Sequence, residues 1–191
     1  MNKVTLPIET PRLILRKYLE GDIGDILEFS QAADFWLSRN LDWEVSEEGI
    51  RQYFEARLDI DLESYPDWFN LLIELKSGST VIGNIGIGIK DKEGKQAEIG
   101  WLLANHYQGM GIATEAAGAV ISLGFEALGL HRIYARTGKT NTKSWRLMER
   151  LGMRQEAHFR KSHTVKGNWD DEFIYAILAE EWRKQSRKNT S

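Results

Sequence analysis

Tyr107-Gln108-Gly109-Met110-Gly111-Ile112-Ala113-Thr114-Glu115 decides how this chain is understood, because two glycines one residue apart lead straight into a helical segment predicted over residues 114–128. Backbone N–H groups in the first turn of a helix have no intrahelical partner and carry the positive end of its dipole, so a phosphate placed there accepts several hydrogen bonds at once. The glycines let such a ligand come close. Two familiar nucleotide motifs fail. A Walker loop needs Gly-x-x-x-x-Gly-Lys-Ser/Thr, and the pair Gly83 and Gly88 is followed by Ile89, with Lys90 one place late. A dinucleotide fingerprint needs a third glycine, and the run from Gly109 and Gly111 continues through Ile112 and Ala113 to Thr114.

Outward from this turn, strand-like runs are predicted at 12–16, 69–75, 81–89, 97–103, 132–136 and 172–178, with helices between them. Ser46 suits a helix N-cap, with Glu47 and Glu48 in the first turn; Ile50, Tyr53, Phe54, Arg57 and Leu58 then recur at helical spacing to about Leu62. Ser77-Gly78 and Asp91-Lys92-Glu93-Gly94 are turn chemistry between consecutive strands, which predicts antiparallel hairpins. The pattern is α+β: a mixed, mostly antiparallel central sheet flanked by helices, with the glycine-rich turn at the carboxyl end of a central strand. Gly83, Gly86 and Gly88 in one strand mark a bulge, a close backbone approach or loose packing.

Composition sets bounds. A chain of 191 residues, 42% hydrophobic and 28% charged, suits one domain, expected over 1–182, followed by a basic, disordered tail over 183–191. No stretch approaches the roughly 20 apolar residues of a membrane span and no signal sequence opens the chain, so a cytoplasmic address and no membrane partner are expected. A net charge of −3 argues against nucleic acid as a partner. The absence of cysteine excludes disulfides, thiolate metal sites and a cysteine nucleophile. His106, His131, His158 and His163 show no metal-ligand spacing, so no metal is assigned.

The spacing Gln108-x-x-Gly111-x-Ala113, preceded by the strand at 97–103 and followed by a helix, resembles the GNAT acyltransferase superfamily. The opening Thr10-Pro11-Arg12-Leu13-Ile14-Leu15-Arg16 resembles the first strand of its RimJ/RimL branch, which acetylates N-terminal amines of ribosomal proteins. Asn141-Thr142-Lys143-Ser144 with Met148-Glu149-Arg150-Leu151-Gly152-Met153 resembles the second cofactor-contacting helix, and Gly167-Asn168-Trp169-Asp170-Asp171-Glu172-Phe173-Ile174-Tyr175 the last strand.

The resemblance implies an acetyl-CoA-dependent N-acetyltransferase with a GNAT fold. Its cofactor contacts would be Trp101, Leu102 and Leu103 from the strand, Gln108, Gly109, Met110, Gly111, Ile112, Ala113 and Thr114 from the loop, and Asn141 and Ser144 from the later helix. The implied acceptor is a protein or peptide N-terminal α-amine. A small amine (polyamine, amino acid or aminoglycoside) and a non-catalytic acyl-CoA-binding domain are the alternatives, and a homo-oligomer is left open.

Acyl transfer from a thioester to an amine needs a neutral amine, a polarised carbonyl and a thiolate able to leave. Glu98, on the strand entering the loop and on the face of Gly100 and Leu102, is the candidate base, or else a solvated edge residue. Near pH 7.5 roughly a quarter to two-fifths of an α-amine is already neutral, against about 0.1% of a lysine amine, so the demand on this base depends on the acceptor. The tyrosine that donates a proton in the wider superfamily is replaced by Met148, which cannot donate. The resemblance moves that role to Ser144, for which helix capping or a cofactor contact is the alternative; Asn141 is a cofactor contact or turn and cap chemistry. Backbone N–H groups of 101–103 would polarise the carbonyl. The aromatics Phe35, Trp36, Trp43, Tyr53, Phe54, Tyr65 and Trp68 are expected mainly in the core, with Trp36 or Trp43 as candidates for the acceptor wall; Asp59, Asp61 and Glu63 form an acidic run.

Overall fold

Turn chemistry and apolar alternation build the centre of the sheet as the sequence predicts. The computed structural model describes residues 4–32, 46–59, 62, 66–165 and 167–189. Strands β3 (Phe69–Leu75), β4 (Thr80–Asp91) and β5 (Gln96–Leu103) form two antiparallel hairpins, with Phe69 opposite Ile87 and Ile87 opposite Ile99. Short β1 (Ile8–Glu9) and β2 (Leu13–Arg16) extend this half of the sheet outward from β3. Strands β6 (Arg132–Gly138), β7 (Arg154–Val165) and β8 (Asn168–Leu178) complete an eight-stranded sheet in the order β1-β2-β3-β4-β5-β6-β8-β7.

Five α-helices are present among the described residues: α1 (Ile23–Ala32), α2 (Glu47–Glu55), α3 (Ile112–Glu126), α4 (Thr142–Arg150) and α5 (Ala179–Asn189). Ser46 caps α2, its hydroxyl accepting from the Gly49 N–H at 3.1 Å. That helix stops at Glu55, short of the expected Leu62, because Arg57 and Leu58 donate to the carbonyls three residues back and tighten the last turn. The residues expected as a disordered tail run on as helix through Asn189; the Trp182 indole N–H donates to the Ser122 hydroxyl at 3.1 Å and docks α5 on α3. Strand β7 was not predicted, since most of its side chains face solvent and leave no apolar alternation to detect.

The two faces of the sheet have different coverings. Ile85, Ile87, Ile99 and Ile133 pack with Ala117, Val120, Ile121 and Phe125 of α3. On the opposite face Leu72 packs with Ile26 and Phe29 of α1 and Ile50 and Phe54 of α2. By register, Asn84, Gly86 and Gly88 share this second face with their partners Leu102, Gly100 and Glu98. The parallel pairing of β5 with β6, joined through α3, consists of three pairs: Gln96 with Arg132, Ala97 with Ile133 and Glu98 with Tyr134. Beyond Glu98 the strands part, and the fork between them positions the site.

Candidate active site

At the carboxyl end of β5 the chain makes a short turn over Asn105–Tyr107 and enters α3 through Gly109 and Gly111, whose φ angles are +79° and +76°. Only glycine takes this left-handed conformation without strain. Gly111 is the N-cap and brings no side chain to the helix end; the first intrahelical bond runs from the Glu115 N–H to the Gly111 carbonyl at 3.0 Å. The N–H groups of Ile112, Ala113 and Thr114 therefore precede the hydrogen-bonded ladder. The Thr114 hydroxyl is buried there without a hydrogen-bond partner, and a Cβ on Gly109 would meet nothing within 4 Å. Open backbone, unmatched donors and an orphaned hydroxyl fit the phosphates of a coenzyme.

The loop is held from behind. The Gln108 side-chain amide donates to the Leu103 carbonyl at 3.0 Å and to Asn105 Oδ1 at 2.9 Å, while its oxygen accepts from Lys143 Nζ at 2.8 Å. Arg12 Nη1 donates to the Met110 carbonyl at 2.9 Å, and its Nε meets Glu115 Oε2 at 2.6 Å. Burial opposes ionisation of Glu115, but hydrogen bonds from the Thr10 hydroxyl and from the backbone N–H and guanidinium of Arg12 outweigh it and hold the carboxyl below its ordinary range.

Past Glu98, both arms of the fork line a cavity of about 1350 Å³. It gathers Glu98, Trp101, Leu102 and Leu103 from β5 and Gln108, Gly109 and Gly111 from the loop. Ile112, Ala113 and Thr114 from α3 and Asn141 and Ser144 at the start of α4 complete the set. Met110 is the exception: its side chain is 58% exposed and absent from the cavity wall, and its backbone carbonyl serves Arg12 instead.

Glu98 stands at the root of the fork, between Gly88 and Tyr134, and accepts a long hydrogen bond from the Tyr134 hydroxyl at 3.5 Å. Burial first, and the Glu98 charge second, push the Tyr134 hydroxyl pKa up. The side-chain oxygen of Asn141 caps α4, accepting from the Ser144 N–H at 3.2 Å, so the capping alternative for Asn141 is realised at the cavity wall. Ser144 sits one turn before Met148, which is 1% exposed and also reaches the cavity.

Several lining residues escaped the sequence reading. Lys143, Arg146 and Arg150 recur at three- and four-residue steps along α4 and bring positive charge to the cavity; that spacing was a readable signal. Arg136 and Glu172 pair across β6 and β8, with Nη2 to Oε2 at 2.9 Å. Asn70 and Asn84 carried no motif. Trp68, expected mainly in the core, is half-buried on the cavity wall. The glycines of β4 answer to close neighbours: a Cβ on Gly83 would lie 2.2 Å from the Leu102 carbonyl oxygen, one on Gly86 2.5 Å from Trp68 Nε1, and one on Gly88 2.0 Å from the Asp67 carbonyl oxygen. The explanation is close approach rather than loose packing. Tyr53 and Phe54 are buried as expected, while Phe35, Trp36, Trp43, Asp61, Glu63 and Tyr65 lie outside the described residues. Among the described residues no helix is long and apolar enough to cross a membrane.

Comparison with known proteins agrees with this geometry. The family model described as "Acetyltransferase (GNAT) domain" matches residues 12–154. An uncharacterized N-acetyltransferase, YnaD, of Bacillus subtilis (strain 168) is 31% identical over 175 residues, which is 92% of this chain and 98% of the relative. The crystal structure of a GNAT-family acetyltransferase from Bacillus anthracis superposes with a TM-score of 0.77 at 31% identity, covering 91% of this chain and 99% of that one. Relatives named for an acceptor are of two kinds. The ribosomal-protein-serine acetyltransferase of Escherichia coli (strain K12) is 26% identical over 75% of this chain and 79% of the relative. The spermidine N(1)-acetyltransferase of the same organism is 26% identical over 46% of this chain and 47% of the relative.

Proposed function

The chain belongs to the GNAT acetyltransferase family, and from that premise we propose that it moves the acetyl group of acetyl-CoA directly onto the α-amine of a protein or peptide N-terminus, in the cytoplasm, as the RimJ/RimL branch does. The observation that carries this reading is the fork between β5 and β6, open beyond Glu98 and followed, past the carboxyl end of β5, by an uncapped helix N-terminus with an orphaned Thr114 hydroxyl.

Acetyl-CoA supplies an activated acetyl thioester. The N–H groups of Ile112, Ala113 and Thr114 and the Thr114 hydroxyl bind its pyrophosphate, and Lys143, Arg146 and Arg150 add positive charge nearby. The strand at Trp101, Leu102 and Leu103 orients the thioester, with backbone N–H groups polarising its carbonyl. Glu98 takes the proton that the amine sheds as its nitrogen bonds to carbon and the C–S bond breaks. Ser144 gives its hydroxyl proton to the leaving sulfur and regains one from solvent, since Met148 cannot donate. Proximity within one cleft accounts for much of the remaining rate, so loss of either side chain should leave measurable turnover.

Charge favours a single amine over a polycation. Among the described cavity residues the carboxylates are Glu98 and Glu172, and Glu172 already accepts from Arg136. Among the described residues of the cavity, a chain of ammonium groups such as spermidine would meet only one carboxylate not committed to an arginine.

Acetyl-CoA-dependent thiol release against free-amine peptides, N-terminally blocked controls, spermidine and an aminoglycoside tests the reading. Release with free but not blocked peptides is expected. Release with small amines alone would transfer the function to them, and coenzyme binding without release to any acceptor would leave a binding domain. Gly111→Trp should abolish acetyl-CoA binding; undiminished affinity would remove the phosphate site from this loop.

A further inference from the structure

A chain of hydrogen bonds on the second face of the sheet ends in an atom with nothing to bond. The indole N–H of Trp68 donates to Asn70 Oδ1 at 3.1 Å, and an indole N–H can only donate, so the Asn70 amide has one orientation. Its nitrogen then donates to the Tyr53 hydroxyl at 2.7 Å. The same Asn70 oxygen accepts from Asn84 Nδ2 at 3.2 Å, which fixes the Asn84 amide as well: nitrogen toward Asn70, oxygen away. Asn84 is 8% exposed and lines the cavity, and its Oδ1 is closed to bulk solvent without a hydrogen-bond partner. Native proteins leave few buried acceptors unpaired, and an amide locked in place with its oxygen unmatched is prepared for a donor that arrives with a ligand.

We infer that Asn84 positions the acceptor: its Oδ1 takes one N–H of the incoming primary amine. This deepens the proposed amine acetylation and rests on it. Asn84 stands opposite Leu102, on the strand that forms one arm of the fork, so an amine held there lies beside the thioester-binding edge. The Trp68 ring packs onto Gly86, Gly88 and Gly100 of this face and forms a wall of the same cavity. An amide oxygen suits this task better than a carboxylate. Both accept an N–H, but a carboxylate strongly stabilises the ammonium form and withholds the lone pair needed for attack, whereas a neutral oxygen binds the free amine and raises its pKa far less. The amine keeps a second N–H, which leaves as a proton through Glu98 when the N–C bond forms.

The test is Asn84→Leu, similar in volume, beside Asn84→Asp. For Asn84→Leu the KM for the amine should rise about tenfold or more, with acetyl-CoA affinity unchanged. Its melting temperature without ligand should change little, because the oxygen removed had no partner and Asn70 Oδ1, which loses the Asn84 N–H, still accepts from the Trp68 indole. For Asn84→Asp the acid limb of kcat/KM against pH should move to higher pH, because the carboxylate holds the amine's proton. An active wild type with the Leu variant's amine KM unchanged would overturn the assignment while leaving acetylation intact; so would an unshifted Asp profile, which decides the matter if the Leu variant does not fold. A wild type that acetylates no amine would remove the parent reading and this one together.

Discussion

Arg12 and Glu115, 103 residues apart in sequence, meet at 2.6 Å between guanidinium Nε and carboxylate Oε2. The contact joins the start of β2 to the first turn of α3, and the same guanidinium holds the Met110 carbonyl in the glycine-rich loop. Thr10 and Arg12 of the opening motif thus act on the coenzyme end of the site without touching the cavity.

Arg12→Ala should loosen that loop. Half of the Arg12 side chain is exposed, so the ion pair itself contributes little, and the loss comes from the hydrogen bonds. Acetyl-CoA affinity measured by calorimetric titration should fall roughly tenfold, with the amine KM less affected.

Glu115 gives the protein an acid-sensitive element. Its folded carboxyl lies below the ordinary range, so the stability it contributes is present above the unfolded value of about 4.3 and is lost as pH falls through the folded value. Glu115→Gln should flatten the fall in stability below about pH 5, read from denaturant midpoints at several pH values.

Gly86 and Gly88 should behave differently although both approach Trp68. An alanine at 86 meets the indole, a side chain that can shift, so Gly86→Ala should raise the amine KM and lower stability by about 1–3 kcal/mol. At 88 the added carbon meets the Asp67 backbone as well, which cannot swing aside, and Gly88→Ala should lose more stability in urea unfolding.

Arg16 is held by Asp22 at 2.7 and 2.8 Å and by Glu74, with both acids at least nine-tenths buried. Asp22→Ala leaves this arginine with Glu74 alone as its carboxylate partner and should cost about 1.5–3 kcal/mol. Arg51 pairs with the exposed Glu20, and Arg51→Ala should change stability by only about 0–1 kcal/mol. Equal losses in the two variants would contradict this account of the β2 pairing.

The features legible in the sequence were those with a local cause. The hairpins of β3 to β5 follow from turn residues, α2 from its Ser46 cap, and the open entry to α3 from glycines placed before a helix. Strand β7 escaped because its pairing with β8 is set by backbone hydrogen bonds while its side chains face water. Asn84 and Asn70 escaped for another reason: an asparagine in a strand carries no periodic signal, and the donor-only nitrogen of Trp68 fixes Asn70, which fixes Asn84 on the next strand. The fall of Glu98 at the root of the fork depended on strand pairing that ends after three residues, which no local pattern announces.

That brief pairing leaves the sheet with a seam. Between the half built from β1 to β5 and the half built from β6, β8 and β7, the ladder at the seam runs only from Gln96 to Glu98. A coenzyme arm lying along the open edge of β5 would serve as an inserted rung, so its binding stitches two halves as well as filling a pocket, and the bound protein should resist amide exchange at 99–103 far beyond the contacts it makes there.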